Sequence, residues 1–447
     1  MTELTTDTAA RRRLSGSPWA WIPTLYIAEG LPYFVVNTLV VILLTNMGIG
    51  LAEMAFYTGW LYLPWVIKPF WSPFVDIIGT KRGWVLVMQL CIAIALAAVA
   101  LLLPFSFWFT GCLIVFWLMA FFSATHDIAA DGFYMLALTD HEQAAFVGVR
   151  STFYRIASVI GQGGLVYIAG ELEERTGGDI PLAWTIVFAG TSAVFFAITL
   201  WHLFALPRPA ADRPSRVRTA GDICREFGAT FVTFFRKPHI GTALLFMLLY
   251  RLPEALMLKV AVPFMLADRA AGGLALTTKQ VGVINGTFGV IALLLGGIVG
   301  GLCIARQGLK FWLWPMVLAL TLPCGFYCYM AWAQPTSAVW VTALISVEQF
   351  GYGFGFTAFM LYLIYFSAGE FKTSHYAFCT AFMALGMMLP GMVAGWIQEQ
   401  LARVSVFSIG HPEGYLNFFI VVMAACLFSY LACALVKINP AFGKKQK

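Results

Sequence analysis

Apolar residues fill this chain in long runs, and short polar stretches separate them. A helix needs about 20 apolar residues to cross the hydrocarbon of a bilayer. By that rule the pattern predicts twelve membrane-spanning helices, over residues 19–47, 51–76, 83–103, 108–138, 143–169, 183–205, 238–266, 280–304, 311–332, 337–367, 373–401 and 414–437. Several exceed 25 residues, which predicts tilt or breaks. The single long polar interruption, 206–237, carries Pro207, Pro209, Pro214 and a basic run. It divides the spans six and six. The expected organisation is a tail (1–17), a six-helix bundle (18–205), a linker (206–237), a second six-helix bundle (238–437) and a tail (438–447). The fold class is an all-α membrane protein.

Composition agrees with the pattern. Sixty per cent of the 447 residues are hydrophobic and 11% are charged, against about 25% charged in a soluble chain. The net charge of +6 lies in loops and tails, so it is no sign of nucleic acid as a partner. Orientation follows the Lys and Arg positions. Arg11, Arg12, Arg13, Lys81, Arg82, the 206–237 connection, Arg306, Lys310, Lys372, Lys444, Lys445 and Lys447 share one side. The 170–180 loop on the other side is acidic, with Glu171, Glu173, Glu174 and Asp179. Both termini are therefore expected to be cytoplasmic. A cleavable signal peptide is not expected, because residues 1–17 are polar and the first apolar run is too long for one. Nine cysteines without paired spacing read as small packing residues.

The chemistry lies in the charges inside the runs. Asp127 and Asp131 stand four apart within Trp108–Leu138, and so on one helix face. A charge at the bilayer centre costs roughly 2.5–3.5 kcal/mol on insertion scales. At about 1.5 Å rise per residue, Asp131 in span four and Arg150 in span five reach similar depths. Asp127 and Arg155 lie deeper and also match. The depths predict two pairs, Asp131–Arg150 and Asp127–Arg155, which serve either transport or the joining of two helices. Glu29 and Glu348 lie near mid-membrane, and Arg251 and Glu254 are spaced to pair on one face. His126 reads as a packed polar residue rather than a relay. The first span of each half carries Leu-Pro, at Leu31-Pro32 and Leu252-Pro253, and such breaks in transporters often lie near a binding site. Gly296, Gly297, Gly300 and Gly301 predict close helix packing, as do Gly351, Gly353 and Gly355. No phosphate loop, HExxH or GxSxG is present, so neither an enzyme nor an ATP-driven pump is expected. No cofactor or metal is implied.

Lys68-Pro-Phe-Trp-Ser-Pro-Phe-Val-Asp76 resembles the K-x-x-W-x-P-x-x-D segment of the AmpG-type muropeptide permeases, a family of the major facilitator superfamily. Ser123-Ala-Thr-His-Asp-Ile-Ala-Ala-Asp131 is similar to that family's S-A-x-x-D-I-x-x-D, and acetyl-CoA transporters carry a related string. Tyr154-Arg155, Leu249-Tyr-Arg251 with Glu254, Val281-Gly-Val-Ile-Asn285, Glu348 and Val393-Ala-Gly-Trp396 extend the likeness over both halves. Two departures stand out. Glu29 replaces a small polar residue and His126 a glutamine. Some members also carry two more helices, for which 447 residues leave no room.

The resemblance implies a major facilitator fold with twelve helices in two bundles, in a bacterial inner membrane. It implies a proton symporter that imports GlcNAc–anhydroMurNAc, with or without peptide, by alternating access, and the chain is expected to work as a monomer. Asp127, Asp131, Glu348, Glu29 and Glu254 are candidates for proton coupling. Arg155, Arg251, Tyr154, Lys68 and Tyr33 are candidates for substrate contact. Asp76, Arg150, Pro32 and Pro253 are given structural or gating roles. The alternatives are another anionic cargo (acyl-CoA-like, siderophore or sugar conjugate) and a membrane receptor or scaffold that does not translocate. The number of embedded acids argues against a scaffold.

Overall fold

In the computed structural model all regular elements among the described residues are helical. Those residues are 17–138, 140–210, 212, 220–368, 372–403, 415–440 and 442. Helices are the natural outcome for such a chain, since in lipid each backbone N–H and C=O must be satisfied within its own segment. Among the described residues nine segments are continuous, long and apolar enough to cross a membrane, from Pro18–Asn46 to Tyr415–Leu435. The other three expected spans are helical too; the second and seventh are broken by short non-helical turns and the fifth runs on through a π-segment. The second consists of Leu51–Trp60 and Leu63–Ile77. The fifth runs through Asp140–Ser158, Val159–Gly164 and Leu165–Arg175. The seventh is Ile240–Leu249 followed by Leu252–Leu266. Pro253 therefore sits in the first turn of a new helix, where its missing N–H has no intrahelical partner to lose. Pro32, by contrast, lies inside Ile22–Phe34.

Three segments wind as π-helix: Val35–Leu39, Val159–Gly164 and Ile284–Gly289. The first follows Pro32, which cannot donate to the preceding turn. The other two are rich in glycine, and Gly286 comes so close to Gln162 that a Cβ would overlap its carbonyl. π-turns are uncommon and often lie at functional positions.

Contacts divide the chain into two compact units. One comprises Met1–Thr38, Phe70–Gly161 and Leu172–Ile223, and the other Leu39–Pro69, Gln162–Glu171 and Cys224–Lys447. The first has its core at Trp21, Leu25, Tyr26, Val85, Phe133 and Tyr134. The second is built on an aromatic stack including Phe234, Phe246, Tyr250, Phe359 and Tyr362. The second unit takes in residues 39–69 and 162–171 from the first half of the sequence, a mixing that hydrophobic patterning does not reveal. Its glycine surfaces are used selectively. Gly296 faces the Phe350 carbonyl and Gly353 the Leu293 carbonyl, while Gly301 has nothing within 4 Å.

The described parts of the 206–237 connection are tied to the helices around them. Asp212 accepts hydrogen bonds from the backbone N–H groups of Lys81 and Arg82 at 2.7 and 2.9 Å, at the start of Lys81–Leu102. A carboxylate there also complements the helix dipole. Further on, Ala220–Phe235 is a helix whose Phe234 is fully buried against Phe366, Phe378 and Phe382. Lys237 donates to the carbonyls of Phe366 and Ala368 at 2.6 and 2.8 Å, capping the end of Ala338–Ser367. Partial burial lowers its pKa.

Candidate functional site

Each unit holds one arginine framed by a carboxylate and aromatic rings. In the first unit, Arg150 Nη2 lies 2.6 Å from Asp131 Oδ1. The guanidinium rests over Tyr26 at 4.7 Å and Tyr134 at 5.5 Å from the ring centroids. The two rings meet edge to face, with centroids 6.0 Å apart. Three helices build this group. Trp108–Ala137 supplies Asp131 and Tyr134, Asp140–Ser158 supplies Arg150, and Ile22–Phe34 supplies Tyr26. Glu29, one turn beyond Tyr26, is 5% exposed.

In the second unit, Arg251 Nε donates to Glu254 Oε2 at 2.8 Å and Nη2 to Glu254 Oε1 at 2.5 Å. Nη2 also donates to the Tyr352 hydroxyl at 2.9 Å. The guanidinium lies 4.6 Å from the Phe356 centroid and 5.8 Å from that of Phe359. The break at Tyr250–Arg251 makes this geometry. It places Arg251 at the cap and Glu254 in the first turn of Leu252–Leu266, where an acid is favoured by the helix dipole. Tyr250 holds the break by donating to the Gly355 carbonyl at 2.9 Å. Glu348 is 5% exposed and accepts from Gln349 Nε2 at 2.9 Å.

The other expected residues divide. Depth brings Asp131 to Arg150, but Arg155 is exposed and makes no ion pair among the described residues. Depth alone leaves out the angle around the helix. At about 100° per residue, Arg155 is turned by about 140° from Arg150, whereas Asp127 is turned by only about 40° from Asp131. Asp127 itself is half-buried. Tyr154 packs on Phe34, with centroids 5.7 Å apart, and Tyr33 on Phe34 at 5.3 Å. Lys68 is half-buried. The side chain of Asp76 lies outside the described residues.

Three features go beyond the sequence reading, although His126 is buried and packed as expected. His126 belongs to a buried chain in which Thr24 Oγ1 lies 2.8 Å from His202 Nε2, and His202 Nδ1 lies 2.9 Å from Gln89 Oε1. Gln89 Nε2 then lies 3.0 Å from His126 Nε2. With the Gln89 amide so placed, His202 donates from Nδ1 and His126 accepts at Nε2. The network pins four helices of the first unit to one another. The second feature is Lys259, wholly buried in Leu252–Leu266. The third is an ion pair in the second unit, Lys279 Nζ to Glu171 Oε2 at 2.5 Å, with Lys279 also over the Tyr167 ring. A lysine inside Leu-Met-Leu-Lys-Val-Ala-Val was the one visible signal among these.

The profile of the Major Facilitator Superfamily matches residues 24–395. An anhydromuropeptide permease of Escherichia coli (strain K12) is 25% identical over 385 residues, 84% of this chain and 73% of that protein. A putative transporter, AmpG 4, of Rickettsia conorii is 25% identical over 374 residues, 81% of this chain and 85% of that one. Among solved structures, the nucleoside transporter NupG superposes with a TM-score of 0.66 at 13% identity, covering 94% of this chain and 98% of its own. A D-xylose-proton symporter gives 0.65 at 12%, covering 92% and 96%. At such identities the structural likeness establishes the fold. Family and neighbours are transporters rather than enzymes, and this chain is a multi-pass membrane transporter acting on a small-molecule substrate. It belongs to the Major Facilitator Superfamily, among relatives of the AmpG type.

Proposed function

We propose that this transporter is a proton-coupled importer of muropeptides such as GlcNAc–anhydroMurNAc, with or without peptide. It acts by alternating access as a monomer in a bacterial inner membrane, with both termini cytoplasmic and the two six-helix halves, 18–205 and 238–437, as its moving parts. Similarity to the E. coli anhydromuropeptide permease supports the cargo. The observation that carries the mechanism is the Arg251–Glu254 fork. Arg251 spends two donors on Glu254 and one on Tyr352. A proton arriving on Glu254 removes the negative partner and frees a planar fork suited to a carboxylate of the cargo's peptide or, in the peptide-free cargo, to an N-acetyl carbonyl. The flanking Phe356 and Phe359 keep water away and offer apolar faces. Asp131 and Arg150 make the matching exchange in the other half, with Asp127, Glu29 and Glu348 as further proton carriers. Tyr33, Tyr154, Lys68 and Arg155 complete the cargo contacts, while Pro32, Pro253 and Asp76 shape the helices that move.

Uptake of labelled GlcNAc–anhydroMurNAc into proteoliposomes tests this. An inward proton gradient is expected to raise uptake several-fold, and Glu254→Gln to remove that dependence. Uptake indifferent to the gradient would overturn the coupling, and no uptake would overturn the cargo.

A further inference from the structure

Lys259 lies in Leu252–Leu266, is 1% exposed, and its Nζ has no hydrogen-bond partner among the described residues. What faces it is the Tyr62 ring, with the centroid 5.4 Å from Nζ. Tyr62, Ala255, Met387 and Met388 form a buried cluster, with Leu258 and Met392 packed on it. Gly391 of Lys372–Ala402 lies beside the lysine stem, where a Cβ would meet Lys259 Cγ in ordinary contact at 3.6 Å.

A lysine near a membrane normally bends its head into water or headgroups; this one does not. Burying an ammonium without a counter-ion is strongly unfavourable. A tyrosine face offsets only a small part of that. All three N–H donors remain free of hydrogen bonds. The lining is poised to change. Tyr62 sits on the break between Leu51–Trp60 and Leu63–Ile77, and three methionines repack easily around a new occupant. A carboxylate meets both demands of the site, cancelling the charge and filling two donors. A neutral hydroxyl meets only the second.

We propose that Lys259 anchors a carboxylate of the cargo. Tyr62 covers it in this structure, and it is uncovered when residues 39–69 part from Leu252–Leu266. The proposal rests on the muropeptide reading above, whose sugar acid carries such a carboxylate. The test uses the purified full chain in nanodiscs, with GlcNAc–anhydroMurNAc and its methyl ester as probes in calorimetry. The wild type is expected to prefer the acid at least tenfold. Lys259→Met loses about tenfold for the acid and leaves the ester unchanged, and Lys259→Arg keeps part of the preference. A Lys259→Met protein with the wild-type ratio of acid to ester overturns the anchor. If the wild type binds neither probe, the cargo reading fails, and the anchor is then judged on the Tm of the ligand-free protein. Lys259→Met is expected to raise that Tm by removing an ammonium without a partner. A fall would make Lys259 a structural residue and overturn the anchor.

Discussion

Two arginine sites of like composition differ in what they join. Arg150–Asp131 links two helices, and its side chains are 30% and 37% exposed. Arg251–Glu254 closes within one helix turn, at 10% and 14%. The first pair is less enclosed by protein. The second is flanked by Tyr352 and by the faces of Phe356 and Phe359, so removing either charge leaves the other in poorly hydrated surroundings. The membrane-embedded charge of the second unit is therefore held more tightly by its surroundings, while the first unit is held by a neutral network through Gln89. Pair distance alone does not reveal this contrast.

The sharpest way to break the comparison is Arg251→Met. It leaves Glu254 buried without its partner, and about 3–5 kcal/mol of stability should be lost, read as a large fall in Tm. Arg251→Met with Glu254→Gln should regain most of it, and a double variant as unstable as the single would refute the pairing. Next is Gln89→Leu, which orphans ring nitrogens on both His126 and His202. A loss of about 2–4 kcal/mol is expected from two unsatisfied buried groups; a near-neutral result would mean the network is dispensable. Asp131→Asn should be milder, about 1 kcal/mol, because both side chains are less enclosed by protein than those of Arg251 and Glu254. If it matched Arg251→Met, the contrast between the two sites would fail. Smallest is Glu171→Gln, which weakens a partly exposed pair with Lys279 by a few tenths of a kcal/mol. Scanning fluorimetry of the purified variants ranks all four.

Much of the fold was legible because lipid enforces a simple rule. Length and apolarity located each of the twelve helical segments. The breaks were less so: Pro253 marks one, but nothing apolar distinguishes Val159–Gly164 as a π-turn. At the site, depth found Asp131–Arg150 and spacing found Arg251–Glu254. Asp127–Arg155 was overdrawn because depth ignores azimuth. Lys259 was passed over because a lone lysine in an apolar run usually bends out to the headgroups. Here the Tyr62 cover and the Gly391 approach come from segments about 200 and 130 positions away in sequence, which no local pattern reports.

The glycine crossings carry a mechanical consequence. A side chain between two helices acts as a compressible spacer, whereas a backbone resting on backbone has almost no give. Gly296, Gly353 and Gly351 remove that spacer from the contacts of Val290–Gln307, Ala338–Ser367 and Leu309–Thr321. Contacts of this kind make the three helices a stiff slab. Bending within the second unit falls instead to its interruptions, at Leu61–Tyr62 and Tyr250–Arg251. Those hinges carry Tyr62 and Arg251, so the parts of the chain that flex are also the parts that hold its buried charges.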